Sequence, residues 1–149
     1  MLHRAEKEVE VAASPQTFFD VVWEFERYPE FVTGVAATRV RSRDDQQCVV
    51  EVTAKLMGIP FRYELACIRE EKKIHWRRAG GAFKDAQGAW TLIEERLSTC
   101  VFRYENAVDP GLPVPGFILR YVLETSLPRL LSEFRARVEE IAQEQSPPP

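Results

Sequence analysis

The stretch QCVVEVTAKLMGIPFRYELACIREEKKIHWRR, residues 47–78, decides the fold. Its first part places Cys48, Val50, Val52, Ala54 and Leu56 on one side of a strand and Glu51, Thr53 and Lys55 on the other. After the break Gly58-Ile59-Pro60, Phe61, Tyr63, Leu65 and Cys67 oppose Arg62 and Glu64. After Glu70-Glu71, Ile74, Trp76 and Arg78 oppose Lys73, His75 and Arg77. Breaks this short can join only antiparallel neighbours, because a parallel pair needs a long crossover. The alternation gives the sheet one wet face and one dry face, and the dry face needs a cover.

The pattern continues on both sides of that stretch. Val35–Arg43, Gly88–Glu95 and Thr99–Ala107 read as further strands, with Trp90 and Leu92 on the side of Gly88 and with breaks at Asp44-Asp45 and Leu97-Ser98. Six strands therefore meander, and Ala79-Gly80-Gly81-Ala82 reads as their most flexible connection. Ahead of them Glu6–Val11 alternates like a half-buried strand that can pair at an edge. Ser14-Pro15 starts a helix, since serine can cap and proline suits a first helical position. That helix must end before Tyr28-Pro29, and Pro29–Val32 reads as a second short turn closed by Gly34.

The cover comes last in the chain. From about Pro115 to Gln143, Leu123, Leu127, Leu130, Leu131, Phe134, Val138 and Ile141 recur at three- and four-residue steps, which is an amphipathic helix. Pro128 inside it removes a helical hydrogen bond and predicts a kink or restart near Thr125-Ser126. A strand, two short helices, a meander and one long helix make an α+β chain in the helix-grip order. A curved sheet of about seven strands leaves more room on its concave side than one helix fills. Trp76, Trp90, Phe61, Tyr63, Phe102 and Tyr104 would shrink that gap, whereas Ala54, Ala66, Gly88 and Ala89 would widen it. Composition leaves both outcomes open. Residues 1–145 read as one domain and 146–149 as a disordered tail.

Composition narrows the function classes. With 20 basic and 23 acidic residues intermixed and a net charge of −3, no concentrated positive face is expected for nucleic acid. Arg39, Arg41 and Arg43 alternate along one strand and read as a solvated face, with macromolecule binding as the competing reading. Cys48, Cys67 and Cys100 with His3 and His75 do not suggest a zinc site or a disulfide framework, so neither metal nor cofactor is expected. The charged start, Met1–Glu10, does not read as a signal peptide, and no run of about 18 apolar residues spans a membrane. The cytoplasm is the expected location.

The runs Val9–Val22 and Glu26–Val32, with Tyr28-Pro29-Glu30-Phe31 their most specific piece, resemble the opening of the START-like (SRPBCC) superfamily. The branch they are most similar to is that of polyketide cyclases/dehydrases and coenzyme-Q-binding proteins. Gly88-Ala89-Trp90-Thr91-Leu92 resembles its G-x-W strand, and Asp109–Pro113 followed by Leu127–Leu131 resembles the ending of bacterial members. The resemblance implies a helix-grip fold and a lipid, quinone or polyketide-like ligand. It also implies, as alternatives, a cyclase/dehydratase or an interaction protein of a ribosome-associating type.

Candidate residues follow from the alternation. Val52, Phe61, Tyr63, Leu65, Trp76, Arg78, Trp90, Phe102 and Tyr104 are expected to line the concave side, with Phe117 and Tyr121 at the start of the last helix. Tyr63, Trp76 and Tyr104 read either as core aromatics or as donors that orient a guest. Arg78 sits near a strand end, where it would be exposed or would hold an anionic head group. His75 falls on the wet face, and no catalytic constellation assembles. Phe117, Ile118, Tyr121 and Val122 are apolar on more than one side, suiting a portal or a homodimer contact.

Overall fold

The computed structural model describes residues 1–145, so the expected tail at 146–149 lies outside the described residues. Strands β1 (His3–Val11), β2 (Val35–Arg43), β3 (Gln47–Leu56), β4 (Ile59–Glu70), β5 (Lys73–Gly81), β6 (Asp85–Glu95) and β7 (Cys100–Asp109) form one sheet. Its order is β1-β7-β6-β5-β4-β3-β2, and every neighbouring pair is antiparallel. Between β1 and β2 lie α1 (Pro15–Trp23), a 3₁₀ turn (Phe25–Arg27) and α2 (Tyr28–Phe31). Helix α1 is capped as its sequence demands: the Ser14 hydroxyl accepts the Thr17 N–H at 3.2 Å, and Pro15 follows.

The long C-terminal helix is three pieces: α3 (Gly116–Tyr121), a π-turn (Val122–Ser126) and α4 (Leu127–Gln145). Pro128 explains the interruption. Its ring collides with the carbonyl four residues back in a regular helix, and a wider turn gives it room. The Leu127 N–H accordingly donates five residues back, to the Val122 carbonyl.

One part of the sequence reading is corrected. Ala79, Gly80 and Gly81 are not a loop but the end of β5, paired to β4 beyond a bulge. The reversal instead falls on Ala82–Lys84, where Phe83 holds φ at +74°. A bulky side chain in the left-handed region costs about 1–3 kcal/mol.

The core gathers where α1 and α4 meet the sheet. Phe18 stacks on Phe102 with centroids 3.6 Å apart and meets Trp90 edge-on at 5.0 Å. Phe134 of α4 reaches Trp90 at 5.5 Å and Tyr28 at 5.2 Å. Each such ring contributes about 1.5–3 kcal/mol by burial. Polar ties clamp the same end: Thr33 donates to Glu133 through its N–H (3.1 Å) and its hydroxyl (2.5 Å), Ala12 N–H to Glu139 (2.9 Å), and Thr17 to Gln145 (3.0 Å). Helix α4 is thus held against β1, α1 and α2.

Gly88 is where the sheet tolerates no side chain. A Cβ there would lie 2.5 Å from the Glu105 carbonyl oxygen and 2.5 Å from the Trp76 ring. Gly88→Ala is therefore expected to cost at least about 1–3 kcal/mol by overpacking. Gly116→Ala, at the start of α3 with nothing within 4 Å, should gain a few tenths to about 1 kcal/mol. Urea unfolding of the two variants checks both signs.

Candidate functional site

Antiparallel pairing carries one set of side chains across the concave face: Val52 opposite Tyr63, Leu65 opposite Arg78, Trp76 opposite Gly88, and Trp90 opposite Tyr104. The face divides along its length. At the clamped end Phe102 and Trp90, at 0% and 2% exposure, are sealed into the aromatic stack and present no surface to a guest. Toward the other end Val52 and Tyr104 are buried, while Phe61, Tyr63, Leu65 and Trp76 are only half-buried. These four lie on β4 and β5, the middle of the sheet, where edge exposure cannot account for their residual surface.

Two hydroxyls mark the same region. Among the described residues neither the Tyr63 nor the Tyr104 hydroxyl makes a hydrogen bond, and the sealed side-chain polar atoms without one are Arg103 Nε, which lies 3.1 Å from Glu6, and Arg129 Nε, not these phenols. Both tyrosine oxygens therefore keep some contact with solvent. Desolvation pushes the Tyr63 phenol up to about 12, with Cys67 adding a smaller push, and moves Tyr104 higher still. At neutral pH both are donors, not bases. Trp76 and Tyr104 lean on each other at 5.9 Å, and Trp90 continues the row 4.8 Å beyond Tyr104.

The open end is framed by Phe61, Tyr63 and Phe83, with centroids 5.4–5.9 Å apart. Phe83 was not expected from sequence; its left-handed backbone in a turn aims the ring back at β4. Arg78 donates to the carbonyls of Gly81 at 2.7 Å and Ala82 at 3.4 Å. No carboxylate pairs with it among the described residues, so its positive charge at this end is uncompensated. Helix α3 and the π-turn contain no buried residue; Tyr121 is half-buried and Phe117 is 60% exposed.

Other candidates resolve differently. His75 lies on the outer face, 3.4 Å from Glu70. Arg41 is paired with Glu51 at 2.7 Å and Glu64 at 2.5 Å, and Arg43 with Glu26 at 2.8 Å, whereas Arg39 is exposed without an ion pair among the described residues. Cys48 and Cys67 are directly opposed across β3 and β4 as free thiols, which spacing alone could not reveal. Burial pushes Cys48 up to about 11 and Cys67 further, so neither is a ready nucleophile. A depression of about 710 Å³ lies on the outer face over Ala66, Ala89 and Ala107, between Arg4, Arg77 and Glu105. It is open and mixed in charge, without the converging donors of the concave side. Among the described residues no cluster of His, Cys, Asp and Glu could hold a metal, and no helix is long and apolar enough to cross a membrane.

With the geometry established, three comparisons bear on it. A curated relative, the ribosome association toxin RatA of Rickettsia prowazekii (strain Madrid E), is 35% identical over 90 residues, 57% of this chain and 62% of the relative. The match thus spans less than two thirds of that protein. A START superfamily protein from Mycobacterium smegmatis superposes with a TM-score of 0.80 at 22% identity, covering 93% of this chain and 99% of that one. The Zhui aromatase/cyclase from Streptomyces sp. R1128 gives 0.80 at 13%, covering 94% and 95%. At such identities the two solved structures share the fold alone. The profile of one family matches residues 11–135, from the end of β1 into α4. The chain belongs to the polyketide cyclase/dehydrase and lipid transport family.

Proposed function

We propose that this chain binds and carries an apolar small molecule of lipid, quinone or polyketide-like class between the concave sheet face and the α3–π-turn–α4 segment. The observation that carries the reading is the pair of phenol groups, Tyr63 and Tyr104, deep in the molecule yet bonded to nothing. Neither oxygen is sealed off, and a donor set among apolar side chains suits a guest that carries an acceptor. Here a ligand carbonyl or hydroxyl would supply it, while Val52, Phe61, Leu65 and Trp76 take its apolar body. The family's description as lipid transport supports the same class. Three free thiols support a reducing compartment, and we place the chain in the cytoplasm.

A second reading, an interaction protein of the ribosome, rests on the RatA likeness. Co-sedimentation with ribosomal subunits through a sucrose gradient tests it; a chain that stays at the top of the gradient speaks against it.

The carrier reading has a direct test. Solvent extraction of the purified protein followed by mass spectrometry should release one amphipathic species at near-stoichiometric yield. Leu65→Trp should lower that yield at least tenfold, by roughly the loss of one well-fitted apolar contact. If Leu65 faces free space, the larger ring costs under about 1 kcal/mol; if it faces packed atoms, overpacking costs about 1–3 kcal/mol and the reading fails. The phenols give a pH signature. The Tyr63 value in the folded chain, about 12, lies above the unfolded value of about 10. Its contribution to stability is therefore complete below about pH 10 and lost as the pH climbs toward 12. Tyr63→Phe should flatten that alkaline loss, as read by unfolding at stepped pH.

A further inference from the structure

Cys48 and Cys67 are interior thiols that the carrier reading leaves without a role. They face each other directly across β3 and β4, on the concave side, at 1% and 2% exposure. Two of the chain's three cysteines thus occupy one opposed pair, while Cys100 lies on β7 between Val11 and Glu95 of the neighbouring strands.

The register fixes the distance between them. The Arg69 N–H donates to the Gln46 carbonyl at 2.8 Å, and the pairing runs on through Gln47–Ile68 to Cys48–Cys67. Bonded and non-bonded pairs alternate along an antiparallel ladder, so Cys48 and Cys67 form a hydrogen-bonded pair. The far end of the hairpin agrees. Leu56 and Ile59 flank a two-residue turn, which makes them a bonded pair as well, and Cys48 lies an even number of residues from Leu56. Cα atoms in such a pair stand about 5.5 Å apart, inside the span of about 4.4–6.8 Å that a disulfide bridges. The Cβ atoms stand toward the wide end of about 4.5–5.5 Å, whereas a relaxed disulfide holds them at about 3.5–4.5 Å. A bridge here has to pull the two strands together, and a strained bridge is the readily reduced kind.

The surroundings assign the order of reaction. Burial pushes both thiols up, Cys67 further than Cys48, and Arg43 pulls Cys48 back against a smaller push from Glu26. Cys48 is the sulfur that ionises first, and Cys67, directly opposite, is placed to resolve it. The closed strands keep both from solvent, so reaction proceeds through local opening of the hairpin and is slow. On β5 the residue opposite Cys67 is Trp76, and the next pair along the same face of β3 and β4 is Val50 with Leu65. A bridge would therefore act on the wall that carries the proposed lining.

We infer that Cys48 and Cys67 are a redox couple, a dithiol that a peroxide-class oxidant closes into a reversible cross-strand disulfide, narrowing the concave wall beside Leu65. The Cys48 sulfur attacks the peroxide and breaks its O–O bond, leaving a sulfenic acid on Cys48 and one water. The Cys67 sulfur then displaces the second oxygen, forming the S–S bond and releasing a second water. Both thiol protons leave in the waters, and two electrons pass from the sulfurs to the peroxide. A reducing dithiol reverses the step by exchange. Formation of the bridge rests on the strand pairing alone; its effect on a ligand rests on the carrier reading.

Hydrogen peroxide added to the reduced full chain, followed by alkylation under denaturing conditions and peptide mapping, tests the couple. The expected product is two hydrogens lighter, with Cys48 joined to Cys67 and Cys100 alkylated, and dithiothreitol should restore the dithiol. Urea below the unfolding transition should speed bridging at least about fivefold, since opening limits it. Cys67→Ala should accumulate dimedone-trapped sulfenic acid on Cys48 at least about threefold above what Cys48→Ala accumulates on Cys67. The map of the unsubstituted chain decides the matter even where an alanine variant fails to fold. Bridging should also lower the yield of extracted ligand about threefold, because the lining narrows. Peroxide that leaves both thiols free, drives them to sulfinic acids, or joins Cys100 to either of them overturns the inference. So does a bridge that dithiothreitol cannot open, or one that leaves a measurable ligand yield unchanged. The two readings fail separately: a reversible Cys48–Cys67 bridge in a chain that yields no ligand in either state upholds the couple and sinks only the carrier.

Discussion

The structure depends on one aromatic joint, in which Phe18 of α1 lies flat against Phe102 of β7 and both meet the Trp90–Phe134 contact between sheet and last helix. Four elements distant in sequence are fixed there. Because the joint is dense and lies at one end, it closes the bowl at that end and draws α4 down against α1 and β1.

The proline-driven wide turn completes the asymmetry. Helix α4 is tied by Glu133, Glu139 and Gln145 to Thr33, Ala12 and Thr17, whereas α3 beyond the π-turn buries nothing. A continuous helix would have had to extend its apolar stripe across the mouth in register with α4. Pro128 breaks that register, so the first two turns are free to sit differently from the rest. Tight clamp, wide turn and an α3 without buried residues form a graded series along one segment.

The chemistry of the interior follows from what faces that opening. Tyr63 and Tyr104 are neutral donors, their phenols pushed up chiefly by desolvation. The outer face carries ion pairs such as Arg41 with Glu51 and Glu64.

Period-two alternation from Cys48 to Arg78 was sufficient for the antiparallel meander and for the face each side chain takes, because pleating alone fixes both. Ser14-Pro15 and Tyr28-Pro29 marked the short helices, and Pro128 marked the break, since each acts through its immediate neighbours. What stayed hidden depended on partners far along the chain. Phe102 and Trp90 alternate like Tyr104, yet only the arrival of Phe18 and Phe134 seals them while Tyr104's oxygen keeps some contact with solvent. Phe83 and Met57 look like ordinary apolar residues until the turn geometry gives them positive φ and aims their side chains. The opposition of Cys48 and Cys67 needed the register of two strands. Local spacing determined which residues are on the concave face; which of them are sealed and which stay half-buried was decided by tertiary contacts, because filling a volume depends on every group that enters it.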